Sequence, residues 1–397
     1  MYNSALVAFF VVGNIIGSGF FLMPSILAPV GLNLLGAWGV SFLIAFLFAF
    51  IFGGLYEKFP DKKALSEYFH KDHNRKTIAF LYWVSCIVGN AGLLIVISAN
   101  LGFDFLISGC FLIILFTLLN GFFDSKVVEK SEIFLTILKF GILVLMPLLF
   151  VFLKPSMFKI PEFLGTKQEV LSIGVSSFWA FLGLETAGVF GSGKSAKRGL
   201  IFGVVACAFL YIMTSLIIVG SVDKSILEKS SIPFGDFSRA FFSNDSWLPL
   251  VRLIISITGM GALHGWIATT AKFASECAQS GTFPSIFKAK LKSGVSKAGL
   301  YISSALTFLV FISVSHLQVQ EQFNFIADLT IFSIFLIFTS CAYCLFRESD
   351  SLFNKVISVL GVLAILCSSF FFSWKILLFA SLYSLIVFIY FKIRANE

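Results

Sequence analysis

Charge is what this sequence lacks most. Asp, Glu, Lys and Arg together make up 13% of its residues, against about a quarter in soluble globular chains. That shortfall excludes a solvated domain of this size. Histidine is scarce as well: His70, His73, His264 and His316 are scattered without metal-ligand spacing, so no metal centre and no cofactor is expected. The seven cysteines are odd in number and nearly all lie in apolar runs, which argues against a disulfide framework. Cys341-x-x-Cys344 has no other Cys or His near it in sequence and reads as small packing residues in a helix. Nor does any cluster of His, Cys and carboxylates gather at one end of the apolar segments, so no enzyme is expected. No basic segment precedes the first apolar run at Ala5, and no cleavable signal peptide is expected. Finally, no polar stretch is long enough to bury a core of its own, which leaves a single membrane domain over 1–397.

What is abundant is apolar: 58% of the residues are hydrophobic, 51 of them phenylalanine. These fall into runs of roughly 20 residues, the length that crosses a bilayer as helix. About twelve spans are expected, near 5–29, 34–55, 77–100, 105–122, 131–153, 171–191, 199–221, 249–275, 298–316, 323–346, 354–372 and 376–391. The fold class is therefore an all-α polytopic membrane protein. The net charge of +8 reads as topology rather than as a nucleic-acid surface. Lys and Arg crowd the segments between spans 2 and 3 and around the connection of spans 8 and 9, and are sparse on the opposite side. Both termini are then expected in the cytoplasm.

The sharpest local feature is Gly13-Asn14-Ile15-Ile16-Gly17-Ser18-Gly19 in the middle of span 1. Three glycines and a serine weaken a helix, and in lipid the freed backbone must be buried in protein or line a cavity. A break there would offer N–H groups and a positive half-helix end to a carboxylate; a small-residue packing face is the competing reading. Span 6 repeats the theme in Trp179-Ala180-Phe181-Leu182-Gly183-Leu184-Glu185. Two interrupted helices at corresponding positions point to a transporter's central site.

Span 6 also carries a carboxylate. Ionised at the bilayer centre, Glu185 would cost at least about 2.5 kcal/mol, so it reads as a gate or proton-exchange residue, with a buried structural hydrogen bond as the alternative. Lys139, two turns into span 5, either snorkels to the interface or points inward as a fixed cation. Arg252 and Asp328, near the outer ends of spans 8 and 10, read as snorkelling or paired at the rim. On span 3, Tyr82, Cys86, Asn90 and Leu93 share one helical face, suited either to ligand contact or to interhelical hydrogen bonds. Trp179 and Trp266 lie well inside their spans rather than in interfacial belts, where an indole can stack on a cation.

Together these pieces resemble the amino acid–polyamine–organocation transporters. The resemblance runs over almost the whole chain and is most specific at Gly13–Phe20 with Pro24, Leu81-Tyr82-Trp83 through Gly89-Asn90, Trp179 through Glu185, Pro233-Phe234-Gly235-Asp236, and Gly265-Trp266 with Gly281-x-Phe283-Pro284. Within the family the chain is most similar to bacterial basic amino acid/polyamine antiporters. The resemblance implies a five-plus-five inverted repeat with broken helices 1 and 6, repeat one over about 5–153, repeat two over about 171–346 and two extra helices over about 354–391. It implies alternating access in a bacterial inner membrane and a small amino acid or polyamine as cargo, and it leaves open a homodimer.

It places Asn14, Ile15, Gly17, Ser18 and Gly19 around the substrate's amino and carboxyl groups, Trp179 against its side chain, and Trp266 across its stem. Tyr82, Cys86, Asn90 and Leu182 match positions lining the same cavity. Glu185 matches a carboxylate linked to gating, and Lys139 resembles a lysine of proton-coupled relatives. The departures are Lys63-Ala64-Leu65-Ser66 in the 2–3 loop, Ala262 at a polar span-8 position, and a loose match near Phe332 and Ser333. The expected activity is exchange of a basic amino acid for its decarboxylated amine or another amino acid, with proton-coupled import through Lys139 as the alternative.

Overall fold

The computed structural model describes residues 3–62, 64–123, 134, 137–138, 141, 145, 149–150 and 152–394. Among the described residues the chain is nearly all helix and forms no strand; two isolated bridges, Gly31 with Phe163 and Lys290 with Ser296, pin loops. Among the described residues ten helices are long and apolar enough to cross a bilayer, and the bent pair Ser4–Ile15 and Gly19–Val30, taken as one span, makes an eleventh. These eleven correspond to the expected spans 1–4 and 6–12. Span 5 lies largely outside the described residues, and Lys139 falls there.

Helix ends are set by local chemistry. Asp104 accepts from the Ile107 amide to start span 4, Ser296 accepts from the Gly299 amide to start span 9, and Thr166 with Glu169 closes a reciprocal box at the start of span 6. Each satisfies amides that a helix start leaves without partners. The longest helices, Asp72–Leu101 (span 3), Leu248–Gln279 (span 8) and Val319–Glu348 (span 10), exceed the roughly 20 residues a crossing needs. Span 3 lies at the centre, with 83% of its apolar window buried, whereas spans 11 (Leu352–Ser369) and 12 (Trp374–Arg394) lie at the edge with 22% and 17%.

Three details differ from expectation. The segment between spans 7 and 8 is not merely a loop: Pro233–Phe242 forms a helix, whose Phe234 ring packs edge-on 5.0 Å from Phe21. Span 10 starts at Val319, earlier than expected, so Asp328 sits more than two turns into the helix rather than at its rim, where it accepts from the Ser176 hydroxyl of span 6 at 2.7 Å. Arg252 is neither free nor ion-paired; its guanidinium donates to the Ala99 and Asn100 carbonyls at the end of span 3, both at 3.2 Å. Cys344, from the Cys-x-x-Cys pair, donates to the Tyr68 carbonyl at 3.4 Å.

Candidate functional site

Both expected interruptions are present. Regular helix in span 1 ends at Ile15; Ile16 and Gly17 are extended, and the chain resumes as a 3₁₀ turn over Ser18–Leu22 with a bend of 55° between the two halves. Span 6 runs as α-helix over Lys167–Ser176, tightens to a 3₁₀ turn over Ser177–Phe181, and loses its winding at Leu182 and Gly183 before Leu184–Thr186 and Ala187–Phe190 rebuild it. Gly183 is at φ +106°, a region that disfavours any Cβ, and a Cβ there would lie 2.8 Å from the Asn14 carbonyl oxygen. The two interruptions therefore touch backbone to backbone, and glycine permits it.

Side chains tie the breaks together. Asn14 Nδ2 donates to Thr186 Oγ1 at 2.8 Å, and Thr186 Oγ1 donates to the Gly183 carbonyl at 2.6 Å. From span 7 (Gly193–Ser221), the fully buried Tyr211 hydroxyl donates to the Ala180 carbonyl at 3.0 Å and shares the bond with the Ile15 carbonyl at 3.3 Å. One hydroxyl thus serves backbone that both breaks have freed, which meets the demand that polar backbone in lipid be satisfied within the protein.

Glu185 is 5% exposed. Its Oε1 accepts from the Tyr82 hydroxyl and its Oε2 from the Gly183 amide, each at 3.0 Å, while the Tyr56 hydroxyl donates to its backbone carbonyl at 2.8 Å. Two donors offset the cost of removing this carboxyl from water, and they join span 3 to the break in span 6. The structural hydrogen bond expected as the alternative for Glu185 is present.

These elements line a half-open cavity of about 70 Å³. Asn14, Ile15 and Gly17 line it from span 1; Tyr82, Cys86 and Asn90 from span 3; Trp179, Leu182 and Glu185 from span 6; and Trp266 from span 8. Asn90 also donates to Thr270 of span 8 at 3.2 Å, so it is interhelical tie and cavity wall at once. Gly19 does not line the cavity. Trp179 lies against it, in space that a Cβ would occupy, and the opposite edge of the indole lies near Gly92: a Cβ there would meet it at 2.9 Å. Phe323 closes over Trp179 edge-on at 5.4 Å. The side chain of Ser18, like Lys139, lies outside the described residues.

Other lining residues escaped the sequence reading. Ser85 and Gly89 continue the span-3 face at helical spacing, a signal that was available. Thr330 and Ile334, one turn apart on span 10, also line the cavity. Phe332, from the loosely matched stretch there, does not line the cavity and packs on Phe372, in the connection between spans 11 and 12, at 5.5 Å. Ala262 is buried but is not part of the wall.

Among the described lining residues Glu185 is the one acidic or basic side chain, and among the described residues no three His, Cys, Asp or Glu side chains are grouped to hold a metal. A cavity with one carboxyl, two indoles and interrupted backbone can hold a small zwitterion or cation through charge, cation–π stacking and main-chain hydrogen bonds.

Comparison with known proteins agrees with this geometry. The putrescine transporter PotE of Haemophilus influenzae is 28% identical over 169 residues, which cover 41% of this chain and 39% of that protein; the chain thus matches about two fifths of that relative's length. The arginine/agmatine antiporter of Chlamydia trachomatis is 26% identical over 339 residues, covering 77% of this chain and 69% of that protein. The arginine/ornithine antiporter of Pseudomonas aeruginosa is 22% identical over 326 residues, covering 74% and 67%. A sequence profile described as amino acid permease matches residues 6–394, nearly the whole chain including both interrupted spans, and the protein belongs to that family of membrane transporters.

Proposed function

We propose that this transporter is an antiporter that exchanges a basic amino acid for its decarboxylated amine or for another amino acid by alternating access. The observation that carries the reading is the single cavity bounded by both interrupted spans, with Glu185, Trp179 and Trp266 in its wall. Backbone at Ile15, Gly17 and Ser18 holds the α-amino and α-carboxyl groups, as half-helix ends and unwound main chain do for charged ligands; Gly19, covered by the Trp179 indole, takes no part. Trp179 and Trp266 stack on the cationic side chain. Occupancy is felt at Glu185, whose partners Tyr82 and Gly183 lie on different spans, and its hydrogen bonds break or form as the spans tilt. Spans 1–5 and 6–10 act as inverted repeats around this site. The names of three relatives, each a carrier of arginine or putrescine, support the substrate class. The distribution of Lys and Arg supports an inner-membrane topology with both termini in the cytoplasm.

The test is counterflow in proteoliposomes made with the purified chain. Preloaded arginine, ornithine or lysine is expected to drive uptake of labelled arginine, putrescine or agmatine, with no accumulation into empty vesicles. If none of these solutes exchanges, the basic-substrate reading is wrong. Accumulation that needs a proton gradient and no counter-substrate would replace exchange with proton-coupled import, and loss of that accumulation in Lys139→Ala would assign the coupling to Lys139.

A further inference from the structure

A second and larger void, an open groove of about 850 Å³, lies away from the transport cavity, between spans 3, 10, 11 and 12. Spans 11 and 12 are the least buried of the described spans, so this void sits at the bilayer boundary rather than on a path through the protein. Its wall is mostly aliphatic and aromatic, with hydroxyls set down its length: Thr77 on span 3, Thr339 and Ser340 on span 10, Ser358 on span 11, and Ser381 and Ser384 on span 12.

The groove keeps to one half of the membrane. It begins at Asn74 near the start of span 3, Phe346 near the end of span 10 and Phe388 near the end of span 12, and it reaches no deeper than Leu81, Leu336 and Ser381. From Phe346 to Leu336 is about 15 Å of helix, half of the roughly 30 Å hydrocarbon thickness. That is the reach of the acyl chains of one leaflet. The shallow end is the face on which Lys and Arg are concentrated.

The rim is cationic. Phe388 closes the shallow end, and two side chains flank its ring: His73 edge-on at 5.7 Å and Lys392 with Nζ 5.8 Å from the centroid. None of the ion pairs among the described residues involves Lys392, which is exposed. One turn below Phe388, Ser384 lines the groove with a buried hydroxyl that finds no hydrogen-bond partner among the described residues. An unpaired buried donor costs free energy, and Ser384 lies eight residues, about 12 Å of helix, below Lys392, whose Nζ reaches back to the Phe388 ring one turn above Ser384.

We propose that the groove between spans 3, 10, 11 and 12 is a binding site for an anionic phospholipid, with acyl chains in the groove, an ester carbonyl on Ser384, and the phosphate held at the rim by Lys392, His73 and Asn74. A flexible amphiphile with a negative head satisfies each feature at once: the leaflet-deep apolar wall, the hydroxyl with no partner among the described residues, and the exposed lysine. The proposal does not depend on which solute is carried.

The experiment is native mass spectrometry of the full-length chain in detergent, titrated with equimolar phosphatidylglycerol and phosphatidylcholine of the same acyl chains. Wild type is expected to retain phosphatidylglycerol in preference to phosphatidylcholine, and Lys392→Ala to lose about fivefold of that preference, the ratio one basic residue near an anionic surface contributes. Ser384→Leu is expected to weaken adducts of both lipids while labelled-solute exchange persists. Equal retention of the two lipids by wild type, or an unchanged preference in Lys392→Ala together with unchanged adducts in Ser384→Leu, overturns the proposal. So does a spectrum dominated by dimers that Ser384→Leu converts to monomers without altering lipid adducts, because the face would then belong to a second copy of the chain.

Discussion

Gly183→Ala tests the contact on which the site is built. At φ +106° an alanine carries a conformational cost of about 1–2 kcal/mol. Its Cβ would also lie 2.8 Å from the Asn14 carbonyl oxygen and 3.1 Å from the carbonyl carbon; both are backbone atoms that cannot rotate away, and overpacking of this kind costs about 1–3 kcal/mol. The sum, roughly 2–5 kcal/mol, must be met by moving span 1 away from span 6 or by local unwinding. Gly281→Ala supplies the control: its φ is +74°, but nothing lies within 4 Å of the added carbon, so only the conformational cost of about 1–2 kcal/mol applies. Melting followed by fluorescence-detected size exclusion in detergent should rank Gly183→Ala below Gly281→Ala, and counterflow should fall at least about 30-fold in Gly183→Ala while remaining near wild type in Gly281→Ala. Equal melting temperatures for the two variants, with exchange retained in Gly183→Ala, would refute the backbone contact between the breaks.

Tyr211→Phe keeps the stacking on Phe20 at 4.4 Å and Trp38 at 5.3 Å but withdraws the hydroxyl from the Ala180 and Ile15 carbonyls; it should lower stability by about 1–3 kcal/mol and slow exchange, and an unchanged melt would show that the hydroxyl ties nothing. Tyr82→Phe and Glu185→Gln should each impair exchange, and the double variant should lose less than the two losses combined, a coupling of about 0.5–3 kcal/mol between neighbours in one network. Strict additivity in the counterflow rates would separate them.

The membrane class was readable because its signal is long: runs such as Leu34–Lys58 and Asp72–Leu101 exceed anything a soluble core requires. The two breaks were readable for the opposite reason, since glycine and serine stand out against a uniformly apolar run, and a carboxyl at Glu185 has few bland explanations in lipid. Thr330 and Ile334 were not, because a threonine and an isoleucine one turn apart look the same whether they face a cavity, a neighbour or lipid. Pro233–Phe242 was hidden by length: ten residues with charges read as connection, and their helix buries Phe234, Phe237 and Phe241 against neighbouring elements. Gly19 was assigned to the ligand for its place in the motif, and nothing in one sequence says that an indole from span 6 lies against it.

Gly19 and Gly92 form a slot with an aromatic plate held between them. The plate's lateral position is set by what the two slot walls lack. A single methyl on either wall would collide with the tryptophan and oblige it to shift, and because the indole is itself part of the berth, the space for cargo would change without altering any atom the cargo touches in span 8. Capacity in such a carrier can therefore be retuned from behind the wall, by positions that a survey of contacts would pass over.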